Sequence, residues 1–404
     1  MRILLLHNFY RSGAPSGENQ VFEMERALLE RRGHVVEVFT RHSDEIGRQG
    51  LRGAIKGSAS TPWNVFSARA LRKRIAMFRP DIIHAHNTFP MLSPAVFTAA
   101  RGTARVLTLH NYRLFCAAAI PMRDGRVCTD CLDRRSVLPA LRYGCYRGSR
   151  VATVPLAASI ALHRFRGTWT TDVEAFIALS DFQRQRFVEA GLPAERVHVK
   201  PNFYPGNPAT TPWSERADRV VFVGRLSAEK GVTTLLNAWA LWGDQAPPLR
   251  IVGDGELRQE LEERARGLPV EFVGQVSLEK AQAEIGQAKL LVLASEWYET
   301  FGLTVIEGFA RGTPAAVSDL GPLPDLVREP ESGCVFQPGD AEALLRAVRS
   351  AWKNPGLLQR WSRGARAAFE AKYTEYANYV MLMEVYEKAI GLQGRGTLAR
   401  QLPV

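Results

Sequence analysis

Glu299 and Glu307 stand with seven residues between them in the segment SEWYETFGLTVIE, which follows the apolar stretch Leu290 to Leu293. Gly302 permits close backbone approach, and the N–H groups of Leu303 and Thr304 at the start of an expected helix favour an anion. Glu299 precedes that helix and Glu307 lies a turn or so inside it, so the two carboxylates flank the anion position. Each can accept hydrogen bonds from hydroxyl groups. Taken singly, they read as a solvated glutamate and a helix-surface glutamate. Glu307, however, falls among Val305, Ile306 and Phe309, and a carboxylate in that company needs a partner.

A second polar constellation follows the apolar run Val220 to Val223: Gly224-Arg225-Leu226-Ser227-Ala228-Glu229-Lys230-Gly231. Arg225 can fork onto two phosphate oxygens while Lys230 supplies a point charge, so the pair suits a diphosphate and the charge left on it as it departs. Alone, the octapeptide is equally two solvated loop cations. In the first half, Pro15-Ser16-Gly17-Glu18 makes a tight turn into a helix that a phosphate could approach, or a plain turn. His110 ends the run Val106 to Leu109 and is followed by Asn111, Tyr112 and Arg113, which makes it the best functional candidate among the eight histidines. His84 and His86 flank Ala85 at another strand end, where one should face the cleft and the other sit in the core.

Four of the five cysteines, Cys116, Cys128, Cys131 and Cys145, fall close together, with Cys-x-x-Cys at the centre. The pattern resembles a structural zinc site or, as the lesser choice, an iron–sulfur site; four ordinary thiols are the alternative. A four-thiolate zinc would have a closed shell and would only pin the loop. Cys334 reads as a core residue of a buried strand.

The elements that position these groups alternate strand and helix. Ile3 to Leu6, Val35 to Phe39, Ile82 to Ala85, Val106 to Leu109 and Ala175 to Leu179 read as strands of a first domain. Val220 to Val223, Leu249 to Val252, Val270 to Val273 and Leu290 to Leu293 read as strands of a second. Val21, Met24, Leu28 and Leu29 recur at helical spacing up to Gly33, and Ser180 with Gln183 forms a capping box for a helix ending at Gly191. Such alternation implies mainly parallel sheets with helices on both faces, here two doubly wound domains with ligands at the carboxyl ends of their strands. The expected division is an N-terminal domain at 1–203 with a cysteine-rich excursion at 113–170, a Pro/Gly/Thr-rich linker at 204–218, and a second domain at 219–375. A helix at 376–391 and an aperiodic tail at 392–404 complete the chain.

With 46% hydrophobic and 23% charged residues over 404 positions, the composition is that of a globular protein with room for two domains. The first apolar run, in MRILLLHNFY, is too short for a signal-peptide core, and the longest apolar candidate for a membrane span, Val151 to Leu162, falls short of roughly 20 residues. The expectation is a cytoplasmic protein. The net charge of +11 points to anionic partners, but no basic block with interleaved aromatics argues for nucleic acid. Much of the excess lies between Arg134 and Arg166, mixed with Leu, Val, Tyr and Phe. That suits a surface resting on anionic lipid at the inner membrane face, or a helical excursion packed on its own domain.

Together these segments resemble the family 4 retaining glycosyltransferases of the GT-B fold, particularly those that build bacterial exopolysaccharide or cell-surface glycans. The resemblance runs through GHVVEV, DIIHAHN, ALSDFQ, VKPNF, VGRLSAEKG, IVGDGEL, FVGQV and SEWYETFGLTVIEGFARGTP to the closing helix, and Glu299 and Glu307 match the family's E-x7-E signature. It implies two Rossmann-like domains facing a cleft, with the last helix crossing back to the first. It also implies a nucleotide-diphosphate sugar as donor, a UDP-sugar before a GDP-sugar, and a glycan or lipid-linked glycan as acceptor. Arg225, Lys230 and the backbone of Gly17, Leu303 and Thr304 would then hold the diphosphate. Glu299 would bind hydroxyls of the transferred sugar, Glu307 the ribose, and Val276 would lie beside the base, while His110 would contact the donor sugar. No Asp-x-Asp motif is present, which fits a transfer without catalytic metal.

Three rival readings remain. A nicotinamide-dependent oxidoreductase is suggested by Gly253-Asp254-Gly255, but Arg258 stands where the third glycine of that fingerprint belongs. A nucleotide-sugar epimerase or a glycosyl phosphorylase of the same fold is closer. A non-catalytic nucleotide-sugar-binding protein is the third.

Overall fold

The computed structural model describes residues 1–10, 16–47, 53, 57–328 and 331–401. Internal packing divides the chain into two units. Unit 1 comprises Met1–Pro121, Thr129–Pro201 and the chain from Tyr379 onward; unit 2 comprises Met122–Cys128 and Asn202–Asn378.

Unit 1 is built on strands β1 (Arg2–Phe9), β2 (Val35–His42), β3 (Ile82–Asn87) and β4 (Ala104–Thr108). A two-stranded hairpin in the Met122–Cys128 segment, which belongs to unit 2, comes next along the chain, β5 (Met122–Arg123) with β6 (Arg126–Val127), and unit 1 resumes with β7 (Ala175–Ala178) and β8 (Val197–Val199). The main sheet has the order β2-β1-β3-β4-β7-β8 and every pairing in it is parallel. A central strand of such a sheet is covered on both faces, so its sequence is continuously apolar. Ile3, Leu4, Leu5 and Leu6 of β1 are all fully buried. In the hairpin, Asp124 and Gly125 both take positive φ, as a tight turn between right-twisted strands requires. The helix after β1, Gly17–Arg31, stops before Gly33 at φ 81°. At Asp181–Glu189 the capping box forms: Ser180 Oγ accepts from the Gln183 N–H at 3.2 Å, and Gln183 Oε1 accepts from the Leu179 N–H at 2.7 Å.

Unit 2 repeats the plan with β9 (Ala217–Val223), β10 (Leu249–Val252), β11 (Val270–Gly274), β12 (Ala288–Leu293), β13 (Ala315–Ser318) and β14 (Gly333–Phe336). Their order is β11-β10-β9-β12-β13-β14, again all parallel. The core on one face gathers Phe222, Leu235, Trp239, Ile251, Leu344 and Trp361. The fully buried Trp239 ring satisfies its Nε1–H on the Pro247 carbonyl at 2.8 Å.

Four strands escape the periodicity. Strands β5 and β6 are two residues long each, and β8 and β13 three and four, too short to show a pattern. The terminal helix runs Glu375–Gln401, well beyond the expected stop at 391. The glycines at 391, 394 and 396 weaken a helix without removing its hydrogen bonds, so propagation continues through the stretch that reads as a tail. Pro15, in the expected turn, and residues 402–404 lie outside the described residues.

At the carboxyl edge of the unit 1 sheet lies a buried polar cluster. Glu25 from the first helix is paired with Lys200 at 2.9 Å and approached by His84 Nδ1 at 3.1 Å and His86 Nε2 at 3.3 Å. Burial pushes the Glu25 carboxyl up, but Lys200, His84 and His86 outweigh it and hold it well below the usual range. Burial lowers His7 to about 3 and His84 to about 4, and His110 lies well below the usual 6.5 through burial and the neighbouring His86 and His7. Unfolded, these histidines protonate near 6.5, so unfolding takes up protons below that pH. The stability gained by keeping them neutral is complete above about 6.5 and drains away as the pH falls towards 4; Glu25 adds loss in the same direction below its own usual value. We predict that His7 and His84 each cost about 2 kcal/mol of stability at pH 5 relative to pH 7.5, with His110 adding loss in the same direction. Thermal melts should fall steeply across that interval, and a melting temperature flat between pH 7.5 and 5 contradicts the assignment.

Candidate functional site

In unit 2 the strand order reverses between β9 and β12, the place where loops leaving adjacent parallel strands diverge and leave a crevice. Arg225 and Lys230 leave β9, and the segment from Ser295 to Thr304 leaves β12. The two loops are locked together at Gly231, which takes φ +64° and where a Cβ would come 1.9 Å from the Ala294 carbonyl oxygen. Only glycine fits that approach. The lock continues in the Glu296 N–H donating to the Glu229 carbonyl at 2.9 Å and in the Thr234 hydroxyl donating to Glu296 Oε1 at 2.6 Å.

The result is that Lys230 and Glu299, distant in sequence, meet: Nζ lies 2.6 Å from Oε1. The Ser295 hydroxyl donates to the same oxygen at 2.7 Å, and the ammonium sits 5.5 Å from the centre of the Trp297 ring. Lys230 stays partly open to solvent, at 22% side-chain exposure against 10% for Glu299, so it can reach an incoming anion. Arg225 is exposed. Gly302, at φ +111°, begins the helix Leu303–Ala310 with no side-chain cap, which leaves the first N–H groups, those of Leu303 and Thr304, for another acceptor. Glu307 is buried, and Gln282 Nε2 donates to its Oε1 at 3.4 Å. Gln282 is itself held by the Tyr204 hydroxyl at 2.8 Å and by Arg311 at 3.2 Å. Val276 is half-buried just past β11.

In unit 1, Gly17 opens its helix, exposed, and a Cβ added there would meet nothing within 4 Å. Beside it, the half-buried Glu18 accepts from the Asn111 amide, and burial pushes its carboxyl up against the opposing pull of Asn111, Arg113 and Tyr10. His110 is almost wholly buried, and its Nε2 lies 3.0 Å from His86 Nδ1. Both rings line a cavity that also takes in Asn111, Arg113, Leu114, Ile160 and Trp169. His84 and His86 project to the same side of β3, as period-2 geometry demands, but their surroundings differ. His86 faces the cavity, while His84 is satisfied in the core by the Tyr386 hydroxyl at 2.8 Å and the Thr108 hydroxyl at 2.7 Å.

Cys116, Cys131 and Cys145 belong to unit 1 and Cys128 to a segment of unit 2. No disulfide joins the five cysteines, and burial, helped by Cys131 and Cys145, pushes the Cys116 thiol up to about 12. Among the described residues the group with metal-ligand spacing is instead Glu25, His84 and His86, whose donor atoms lie within 4.8 Å of one another. Lys200 already neutralises that carboxylate. Gly253 follows β10 at φ +141°, with the Gly224 carbonyl oxygen 1.9 Å from where its Cβ would be, so it serves strand-end packing.

Sequence reasoning passed over Ser295, Trp297, Gln282, Glu25 and Lys200. The first two stand inside the quoted segment and could have been read as its supports. Gln282 and Glu25 come from remote elements that no local pattern marks, while Lys200 stands in the quoted VKPNF, where no role was read for it.

Comparison with known proteins agrees with this layout. Residues 17–205 match the family described as Glycosyltransferase Family 4, and residues 207–368 match that described as Glycosyl transferases group 1. A GDP-mannose-dependent alpha-(1-6)-phosphatidylinositol dimannoside mannosyltransferase of Mycobacterium tuberculosis is 36% identical over 150 residues, 37% of this chain and 39% of the relative. The match thus spans about two fifths of that relative's length. The O-antigen chain mannosyltransferase C of Escherichia coli is 26% identical over 93% of this chain and 95% of its own. Among solved structures, a glycosyltransferase from Rickettsia africae superposes with TM-score 0.66 at 14% identity, covering 96% of this chain and 99% of that one. The Anabaena protein HepE, in complex with UDP and glucose, gives 0.63 at 18% identity over 96% and 99%. At those identities the structures speak for the fold, and the sequence matches speak for the family: the chain belongs to the family 4 glycosyltransferases and has their GT-B fold.

Proposed function

We propose that the chain is a retaining glycosyltransferase that moves a hexosyl unit from a nucleotide-diphosphate sugar to a glycan or lipid-linked glycan, without a catalytic metal. The observation that carries this reading is the meeting of Lys230 with Glu299 beside the uncapped start of the helix Leu303–Ala310. An ammonium has three protons to give; one on Glu299 leaves two for phosphate oxygens. Lys230, Arg225 and the Leu303 and Thr304 N–H groups then balance the charge of the departing diphosphate, a task elsewhere given to a divalent ion. Glu299 accepts from hydroxyls of the transferred sugar, Glu307 from the ribose, and Val276 borders the base. His110 contacts the donor sugar, and Gly17 lets a phosphate approach the start of its helix.

For the reaction itself we favour a front-face transfer. The leaving phosphate oxygen takes the proton of the acceptor hydroxyl as the C1–O bond to phosphate breaks and that to the acceptor forms on the same face, through an oxocarbenium-like state. Positioning and charge stabilisation supply the rate. A UDP-sugar is the first choice of donor, supported by the UDP named with HepE. A GDP-sugar is the alternative, supported by the GDP-mannose dependence named for the mycobacterial relative.

The outer face of the helix Arg150–Phe165 supports contact with an anionic membrane. Val151 is 82% and Phe165 90% exposed, Val154 lies between them on the same face, and Arg142, Arg147 and Arg166 are exposed nearby. A structural zinc at Cys116, Cys128, Cys131 and Cys145 completes the proposal, supported by the Cys-x-x-Cys spacing and the nearness of Cys116 to Cys131 and Cys145.

Four measurements check these readings. A panel of nucleotide sugars should raise the melting temperature for one base class, and Lys230→Ala should cut kcat/KM by 10²- to 10³-fold, or about 3–4 kcal/mol. No shift with any donor overturns the proposal, and turnover without an acceptor points to an epimerase. Sedimentation with vesicles containing phosphatidylglycerol, but not pure phosphatidylcholine, should carry the protein down, and a Val151→Ser, Phe165→Ser variant should stay in solution. Elemental analysis of purified protein should find zinc near one per chain; neither zinc nor iron refutes the metal site.

A further inference from the structure

Ser295 stands where the loops leaving β9 and β12 are fastened together. The residue before it, Ala294, has its carbonyl oxygen against Gly231, and the residue after it, Glu296, donates its N–H to the Glu229 carbonyl at 2.9 Å. Anchored on both sides and fully buried, Ser295 has little freedom of direction, and its hydroxyl donates to Glu299 Oε1 at 2.7 Å. Helical spacing does not bring the two together, because the stretch from Ala294 to Phe301 contains no helix. The chain instead turns back on itself, with the Glu299 N–H donating to the Trp297 carbonyl at 2.9 Å. Lys230 Nζ lies 2.6 Å from the same carboxylate oxygen. Both protein donors therefore fall on Oε1. Oε2 has no partner among the described residues and is not one of the enclosed atoms, in a side chain that keeps 10% exposure.

The two donors differ in what a ligand does to them. Lys230 is a point charge on a flexible stem, partly open to solvent, and an incoming diphosphate competes for its protons. Ser295 has one proton, already given to Glu299, and its burial keeps a ligand from drawing on it. We propose that Ser295 is a positioning residue for sugar recognition: it holds Glu299 Oε1 while Lys230 turns its protons to phosphate, so that Oε2 stays directed at a hydroxyl of the transferred sugar. Resting on the proposed function, in which Glu299 meets that sugar, this adds a division of labour. Contact with the diphosphate depends on Lys230, and contact with the sugar depends on Ser295. Without the Ser295 hydroxyl, Glu299 is left with Lys230 alone, and each proton that phosphate takes loosens the carboxylate. A loosened carboxylate has to be ordered when the sugar binds, and that cost appears in sugar affinity.

The test uses the full chain with Ser295→Ala and Ser295→Thr. Calorimetric titration gives the affinities of UDP and GDP, and then of the nucleotide sugar that raises the parent's melting temperature most. In Ser295→Ala the diphosphate should bind within about twofold of the parent, while the nucleotide sugar should lose about tenfold in affinity and in kcat/KM, the worth of one hydrogen bond. Ser295→Thr, which keeps the hydroxyl, should bind and turn over as the parent does. A serine needed only to hold the loops together gives another pattern. Its Ala variant loses diphosphate and nucleotide sugar alike, since Lys230 stands in the same fastened pair of loops, and that result overturns the proposal. An Ala variant that binds both ligands as the parent does overturns it too, as does a Thr variant that fails like Ala while melting at the parent's temperature. A parent protein that binds no nucleotide sugar is a separate failure: there the proposed function itself falls and takes this inference with it.

Discussion

The whole site hangs on one constraint of parallel sheets: every strand delivers its carboxyl end to the same edge, and the crevice forms where the order reverses. In unit 2 that place is the β9–β12 pair, with Leu290 beside Val220 in register. The loops leaving these strands would part company but for Gly231, whose missing side chain lets the Ala294 carbonyl lie against it. From that single backbone contact follow the pairing of Lys230 with Glu299, the support from Ser295 and the placing of an unfilled helix start beside them. In unit 1 the corresponding edge gathers the start of the first helix, the end of β3 and His110 just past β4.

Both units place charge inside, for different ends. Arg105 and Glu174 pair at 2.5 Å near the amino ends of β4 and β7, away from any ligand edge, and there they serve packing alone. Glu25 and Lys200 are more deeply buried, at 1% side-chain exposure each. A buried ion pair is weak evidence for stability, since desolvation offsets most of its attraction. Here the pair neutralises the carboxylate that lies beside His84 and His86.

How much of this was legible beforehand follows from range. The strands that were read correctly are those whose burial on both faces shows as a continuous apolar run, such as Ile3 to Leu6 and Leu249 to Val252. β8 and β13 were missed because a few residues carry no period. Within the candidate site, Glu299, Glu307, Arg225 and Lys230 stand in segments whose local chemistry is visible. Gln282 under Glu307, Tyr204 under Gln282 and Lys200 under Glu25 are contributed by distant parts of the chain. Burial of a carboxylate can be foreseen from its apolar neighbours, but which residue answers it depends on tertiary packing.

The closing helix has a bearing on how such proteins can be recombined. It begins at Glu375 among the residues of unit 2, yet from Tyr379 it belongs to unit 1. There Tyr379 meets His34 at 2.9 Å and Tyr386 meets His84 at 2.8 Å. Unit 1 is therefore not a contiguous stretch of gene. A chimaera that exchanges second halves between relatives by a single junction near Pro201 would graft a foreign tyrosine-bearing helix onto the histidine cluster of the host. Two junctions, the second just before Tyr379, would keep that cluster with its own lid of aromatic hydroxyls.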